Sequence, residues 1–165
     1  MKFSTEPPRL ADGLVGGAIN GAINGAISWS AFKGSEQVPL SVDSIAAPGI
    51  TALGNAATVV FALTFIFTTI SFFTFRAAAR KSGIAPPGLS ALSYWPHGLR
   101  IALLNTLLAF GGFVALAVLW QRLIGTVVTG PLGATLVVAL VAMGATMVAG
   151  WRTSREMLQA GSAAS

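Results

Sequence analysis

Four segments of the chain, residues 12–32, 50–75, 99–120 and 130–151, are each apolar and long enough to cross a bilayer, which takes roughly 20 predominantly apolar residues. Nothing else in the sequence limits the fold as strongly. Hydrocarbon offers the backbone no water, so a spanning segment must satisfy its own N–H and C=O groups, as a helix does. The chain therefore reads as all-α: a single-domain, integral-membrane bundle of four antiparallel transmembrane helices. Composition agrees, with only 9% charged residues, 54% hydrophobic residues and a mean hydropathy of +0.76. A soluble domain carries roughly 25% charged residues.

The few charges set a direction. Lys2 and Arg9 precede the first span, Arg76, Arg80, Lys81 and Arg100 lie between the second and third, and Arg152 and Arg155 follow the fourth. The alternate loops hold only Lys33 and Arg122, together with acidic Glu36 and Asp43. The positive-inside rule then places both termini and the central loop in the cytoplasm. Trp29, Trp95, Trp120 and Trp151 fall at predicted span ends, where interfacial anchors sit. The net charge of +5 is thus used for topology, and no basic stripe or nucleic-acid motif accompanies it. A cleavable signal peptide is the rival reading of the first segment. Its length, its Gly and Asn content and the poor cleavage site at Ser28–Trp29–Ser30 argue instead for a retained span.

Inside that first span, GGAINGAINGAIS (residues 16–28) repeats Gly-Ala-Ile-Asn every four residues. At about 100° per residue the repeat sorts its chemistry into faces. Gly13, Gly17, Gly21 and Gly25 form a small-residue ridge, with Ala18, Ala22 and Ala26 beside it. Ile19, Ile23 and Ile27 form the opposite, lipid-suited face, and Asn20, Asn24 and Ser28 flank the glycines on their other side. Small residues four apart let two backbones approach closely, and packing must hold helices together where the hydrophobic effect cannot. The first helix is therefore expected to be the central packing element.

The asparagines need partners, because a carboxamide facing hydrocarbon leaves its donors and acceptors unsatisfied. By depth, Asn55 and Thr58 share the outer half of the membrane with Ser28, and Asn105 comes level with residues 17–20 and 69–71. Asn20, Asn24, Ser28, Asn55, Thr58 and Asn105 are thus expected to line a neutral polar seam. Hydrogen-bonded packing is the favoured role for it, and passage of a small uncharged solute the alternative. No ionisable residue lies at mid-membrane, which disfavours proton coupling.

No catalytic residue, metal ligand set or cofactor is expected. Cysteine is absent, and Ser and Thr residues lack a base. His97 is the sole histidine, read as interfacial. A pigment- or quinone-associated subunit, using His97 and the phenylalanines of the second span, is a further alternative. Those phenylalanines, Phe61, Phe65, Phe67, Phe72, Phe73 and Phe75, read most simply as lipid-facing bulk. Gly111, Gly112, Gly130, Gly133, Gly144 and Gly150 suggest further close helix contacts.

In the loops, RAAARKSG extends the second helix to a C-cap at Gly83, with Pro86 and Pro87 stopping it. SYWPHG, residues 93–98, reads as an interfacial break. The loop containing Val38, Pro39, Leu40, Val42, Ile45 and Pro48 is expected to be solvated, with contact to the bilayer surface as the other option. The halves share features, such as a Trp and then a base after spans one and three. Positive-inside topology alone produces most of that likeness, so an internal duplication is not expected.

NGAINGAI in a first span, VPL in the following loop and three further spans together resemble small uncharacterised four-span proteins of the bacterial inner membrane, some of them labelled permease-like. The resemblance implies an inner-membrane location and no catalytic residue. The sequence thus leads to a protein that contacts the lipid bilayer and assembles through its Gly/Asn helix face, with itself or as an accessory subunit.

Overall fold

The structure, a computed structural model, describes residues 8–42, 49–83, 88–89 and 92–163. Lys2, Asp43, Ile45, Pro48, Pro86 and Pro87, on which the sequence reading drew, lie outside the described residues. The protein is all-α. Its helices are α1 (Leu14–Phe32), α2 (Ala52–Ser82), α3 (Leu99–Ile124) and α4 (Pro131–Ala163). A 3-10 turn, Leu10–Gly13, leads into α1, and a single π-helical turn, Tyr94–Gly98, leads into α3 through a cis Trp95–Pro96 bond. Two short strands, β1 (Val38–Leu40) and β2 (Val127–Thr129), complete the described chain.

The helix α2, α3 with its leading turn, and α4 are each long and apolar enough to cross a membrane. The shorter α1 is diluted by glycine and asparagine. Local chemistry fixes the ends. The Thr51 hydroxyl accepts from Gly54 N at 3.2 Å at the start of α2, an N-cap that satisfies one otherwise orphaned N–H. Gly83 ends the same helix at φ 69°, a left-handed conformation that glycine adopts without a Cβ clash. The α2 and α4 helices run well past residues 75 and 151, where the sequence placed the membrane boundary.

The middle of the bundle belongs to α4, and here the expectation for α1 is corrected. The α1 helix packs on one side of α4, α2 packs on another, and α3 packs mainly on α2 while also touching α4. The reason lies in how many close-packing faces each helix offers. The close-packing face of α1 is its glycine ridge, and much of the remainder is exposed Ala and Ile; Ile19, Ile23 and Ile27 are 56%, 52% and 63% exposed. Two adjacent faces of α4 carry packing residues. Thr135, Ala139, Met143 and Met147 meet α1, and Ala134, Val138, Ala142, Thr146, Ala149, Thr153 and Met157 form a buried row.

Two apolar clusters close the ends of the bundle. Phe32, Val38, Ala52, Ala56, Ala134 and Val138 pack beneath the strands. Phe72, Phe75, Ala79, Leu89, Leu92, Ile101 and Met157 pack at the opposite end. Phe72 and Phe75 are thus core residues and not lipid-facing bulk, because they point along the α2 face that also carries Ala52, Ala56 and Val60. Phe61 and Phe73 are about half exposed. Of the later glycines, Gly111, Gly112, Gly130 and Gly144 have open space where a Cβ would sit, so they make no close helix contact. Gly150 does, since its Cβ would lie 3.2 Å from Phe67 Cε1.

The loop after α1 is not a free solvated loop. β1 pairs antiparallel with β2, in the register Val38↔Thr129, Pro39↔Val128 and Leu40↔Val127. Val38 is buried, and Gln121 of α3 accepts from Ser41 Oγ at 3.2 Å and from Val42 N at 3.3 Å. Those partners lie some eighty residues away, where local sequence patterning gives no sign of them.

The contacts repeat when the halves of the chain are exchanged. α1 packs on α4 as α3 packs on α2, α2 packs on α4, and the ribbon centres on the Pro39–Val128 pair contributed by one strand of each half. The segments that precede α1 and α3 dock in the same manner. Trp151 Nε1 of α4 donates to Pro8 O at 3.0 Å, and Thr69 Oγ1 of α2 lies 3.1 Å from Tyr94 OH. Charge placement alone would not produce this exchange.

Candidate functional site

The glycine ridge is used within the chain. Gly17, Gly21 and Gly25 are buried against α4, and Gly13 is half-buried. A Cβ at Gly17 would lie 2.8 Å from Met147 Cγ, at Gly21 2.9 Å from Ala139 O, at Gly25 3.2 Å from Ala139 Cβ, and at Gly13 3.1 Å from Met147 Cα. Backbone carbonyls and α-carbons thus occupy the space a side chain would need. This is small-residue helix packing, here between α1 and α4 of one chain.

The neighbouring row of α1 faces α2. At one end the Phe67 ring lies 3.8 Å from where a Gly16 Cβ would be; at the other, Asn55 Nδ2 donates to Ser28 Oγ at 3.0 Å. Asn20 and Asn24 lie on the same row of α1, between these two contacts with α2. Asn20 and Asn24 are half-buried in this seam. Asn24 Nδ2 donates to Asn20 O of its own helix at 2.9 Å. Among the described residues neither carboxamide bonds another helix.

Thr58 lies outside the seam. It is exposed, and its hydroxyl donates to Gly54 O in its own helix. Asn105 belongs to a different cluster, between α3 and α4. Buried to 2% exposure, it accepts from Arg152 Nε at 2.8 Å and donates to Thr153 Oγ1 at 3.4 Å. Arg152 Nη2 also reaches Glu156 Oε1 at 3.0 Å. Arg155 lies over the Trp151 ring at 5.6 Å, and these residues with Gln159 line a shallow depression of about 210 Å³. The six residues expected to share one polar seam are therefore divided among a seam, a lipid-side position and a separate polar junction.

A third group was not singled out from the sequence. Between the two apolar clusters, α2 and α4 bury threonines: Thr64 and Thr68 on α2, Thr146 and Thr153 on α4; Thr106 of α3 is buried as well. Thr106, Thr146 and Thr153 donate to the carbonyls of Ala102, Ala142 and Ala149, one turn earlier. The hydroxyls of Thr64 and Thr68 are buried and have no hydrogen-bond partner. In sequence they stand within a run of Phe and Ile that reads as uniformly apolar, and only the alignment of 60, 64, 68 and 72 on one face marks them as interior.

His97 and Trp95 are exposed beside the π turn, whose Tyr94 stacks on Phe73 at 5.1 Å between ring centroids. Among the described residues no three His, Asp or Glu side chains come together as a metal site requires.

Comparison with protein-family models, with curated proteins and with solved structures returns no match. Fold and site together define a class: an all-α protein with, among the described residues, three helices long and apolar enough to cross a membrane, and with most of its buried polar side chains turned into helix interfaces.

Proposed function

We propose that the chain is a multi-pass protein of the bacterial inner membrane, akin to small four-span proteins of that membrane. Four spans place both termini in the cytoplasm, and the protein assembles along the α1–α2 seam with a second copy or as an accessory subunit of a membrane complex. The charge distribution supports the orientation. The α1 helix, 19 residues without a charged side chain, is about 28 Å long, which matches a hydrocarbon core of about 30 Å. Because the chain has no cysteine, the topology is directly testable. Ser35→Cys should react with a membrane-impermeant maleimide added outside intact cells, and Ser162→Cys only after permeabilisation. The reverse pattern would invert the proposed topology.

One observation carries the assembly reading. Asn20 and Asn24 present half-buried carboxamide groups that the other helices of the chain do not satisfy. A neighbouring helix with its own polar groups can, each such bond contributing roughly 0.6–2 kcal/mol. Since α4 occupies the glycines, the assembling surface is the Asn row with the exposed Ala18, Ala22 and Ala26. The double variant Asn20→Leu/Asn24→Leu is expected to shift the protein to monomer, or to lose its co-purifying partner, in native mass spectra from mild detergent. An unchanged spectrum would rule the seam out as the assembly surface.

The alternative, passage of a small uncharged solute, draws its support from the buried hydroxyls between α2 and α4. Proteoliposomes that take up no neutral solute would remove it.

A further inference from the structure

We propose that the two halves of the chain enclose an internal binding site for water, at the centre of the α2–α4 interface, built by the hydroxyls of Thr64 and Thr68. Both residues are fully buried, at 1% and 0% exposure, and neither hydroxyl has a partner. A buried hydroxyl left unpaired is costly enough that native interiors pair nearly all of them, with water where no protein group reaches.

The surroundings specify what fits. The Phe67 ring over Gly150 sets the register of α2 on α4, which brings the Thr64 turn level with Thr146. On α3, the Phe61–Phe110 ring contact and the packing of Phe72 at Gly98 bracket the same stretch, bringing Thr106 to that level. Thr106 and Thr146 already donate their protons to carbonyls of their own helices. Each hydroxyl oxygen therefore offers only an acceptor. Thr64 and Thr68 supply free donors, yet no hydroxyl of the group bonds another. A partner that accepts from both Thr64 and Thr68 completes their pairing. Water, small and neutral, can do so, and it settles in a buried site with two to four polar partners.

Placement argues the same way. Thr64 and Thr146 occupy corresponding places on α2 and α4, the helices exchanged by the repeat in contacts, and the two apolar clusters seal the site at either end. Asn105 and Thr153, bonded to each other, continue the polar group toward Arg152 and the surface. This inference stands apart from the assembly reading, since no residue of it lies on the α1–α2 seam.

The test is a density map of the protein in lipid nanodiscs, at a resolution that shows waters, together with a double-mutant cycle. Density within hydrogen-bond distance of both Thr64 Oγ1 and Thr68 Oγ1 is expected. Thr64→Val and Thr68→Val should each lower the melting temperature by about 2–4 °C, a shift typical of losing one interaction in a chain of this size. The double variant should lose clearly less than the sum, because one water serves both hydroxyls. Hydroxyls bonded to Val60 O and Thr64 O, with no density between the helices, would overturn the site. So would valine variants that are additive or more stable than the parent. Where a variant does not fold, the map of the parent protein alone decides.

Discussion

Gly21→Leu is expected to destabilise the bundle by about 3 kcal/mol or more, a severe case of overpacking. That corresponds to a fall of about 6–12 °C in melting temperature for a chain of this size. The clash is with backbone, since even a Cβ at this position stands 2.9 Å from Ala139 O and 3.3 Å from Met143 Cβ. Neither α1 nor α4 can yield without separating along the whole ridge. Gly144→Leu, in α4 but with open space at its Cβ, is the control. It should leave the melting temperature unchanged or raise it, because leucine favours a helix over glycine by up to about 1 kcal/mol. Equal melting of the two variants in detergent would mean that α1 does not pack on α4.

Asn105→Leu is expected to cost about 2 kcal/mol, the range for leaving buried polar groups unmatched. It removes the acceptor of Arg152 Nε and the donor to Thr153 from a side chain that is 2% exposed. Arg152, about one-third exposed, recovers part of the loss by turning to water and Glu156. Asn105→Asp keeps an acceptor in place and sets a carboxylate against the guanidinium, so it should melt close to the parent protein. The order parent, Asp variant, then Leu variant is what thermal unfolding should show. A leucine variant as stable as the parent would remove the Asn105–Arg152 contact from any account of how α3 is held to α4.

Much of α1 was legible in its sequence, because a four-residue repeat on a 3.6-residue helix assigns every side chain a face. The exposed Ile face, the buried Gly ridge and the Ser28–Asn55 hydrogen bond all follow from periodicity and depth. The identity of the ridge's partner did not. Small residues at helical spacing occur in every span, and choosing α4 over α2 depends on Met143 and Met147 filling the space around Gly17 and Gly21. Asn105 was placed by depth alone, which cannot reveal that Arg152 reaches back from beyond the apolar segment to meet it. Thr64 and Thr68 were passed over because a threonine in a helix ordinarily bonds the carbonyl one turn earlier, and whether it does so is a choice of rotamer. The β1–β2 ribbon was beyond local reading altogether, its pairing being set by contacts distant in the chain.

The partnership of α1 with α4 also bears on how the protein is made. The α1 helix is matched to one synthesised much later, with 98 residues between Phe32 and Pro131. At a synthesis rate of roughly 5–20 residues per second, α1 waits on the order of 5–20 s for its partner. Throughout that interval its glycine ridge faces whatever surrounds the nascent chain. Ribosomes stalled before residue 131 would therefore carry an α1 whose glycine ridge has no partner, and such chains are natural clients for the machinery that shelters unfinished membrane proteins.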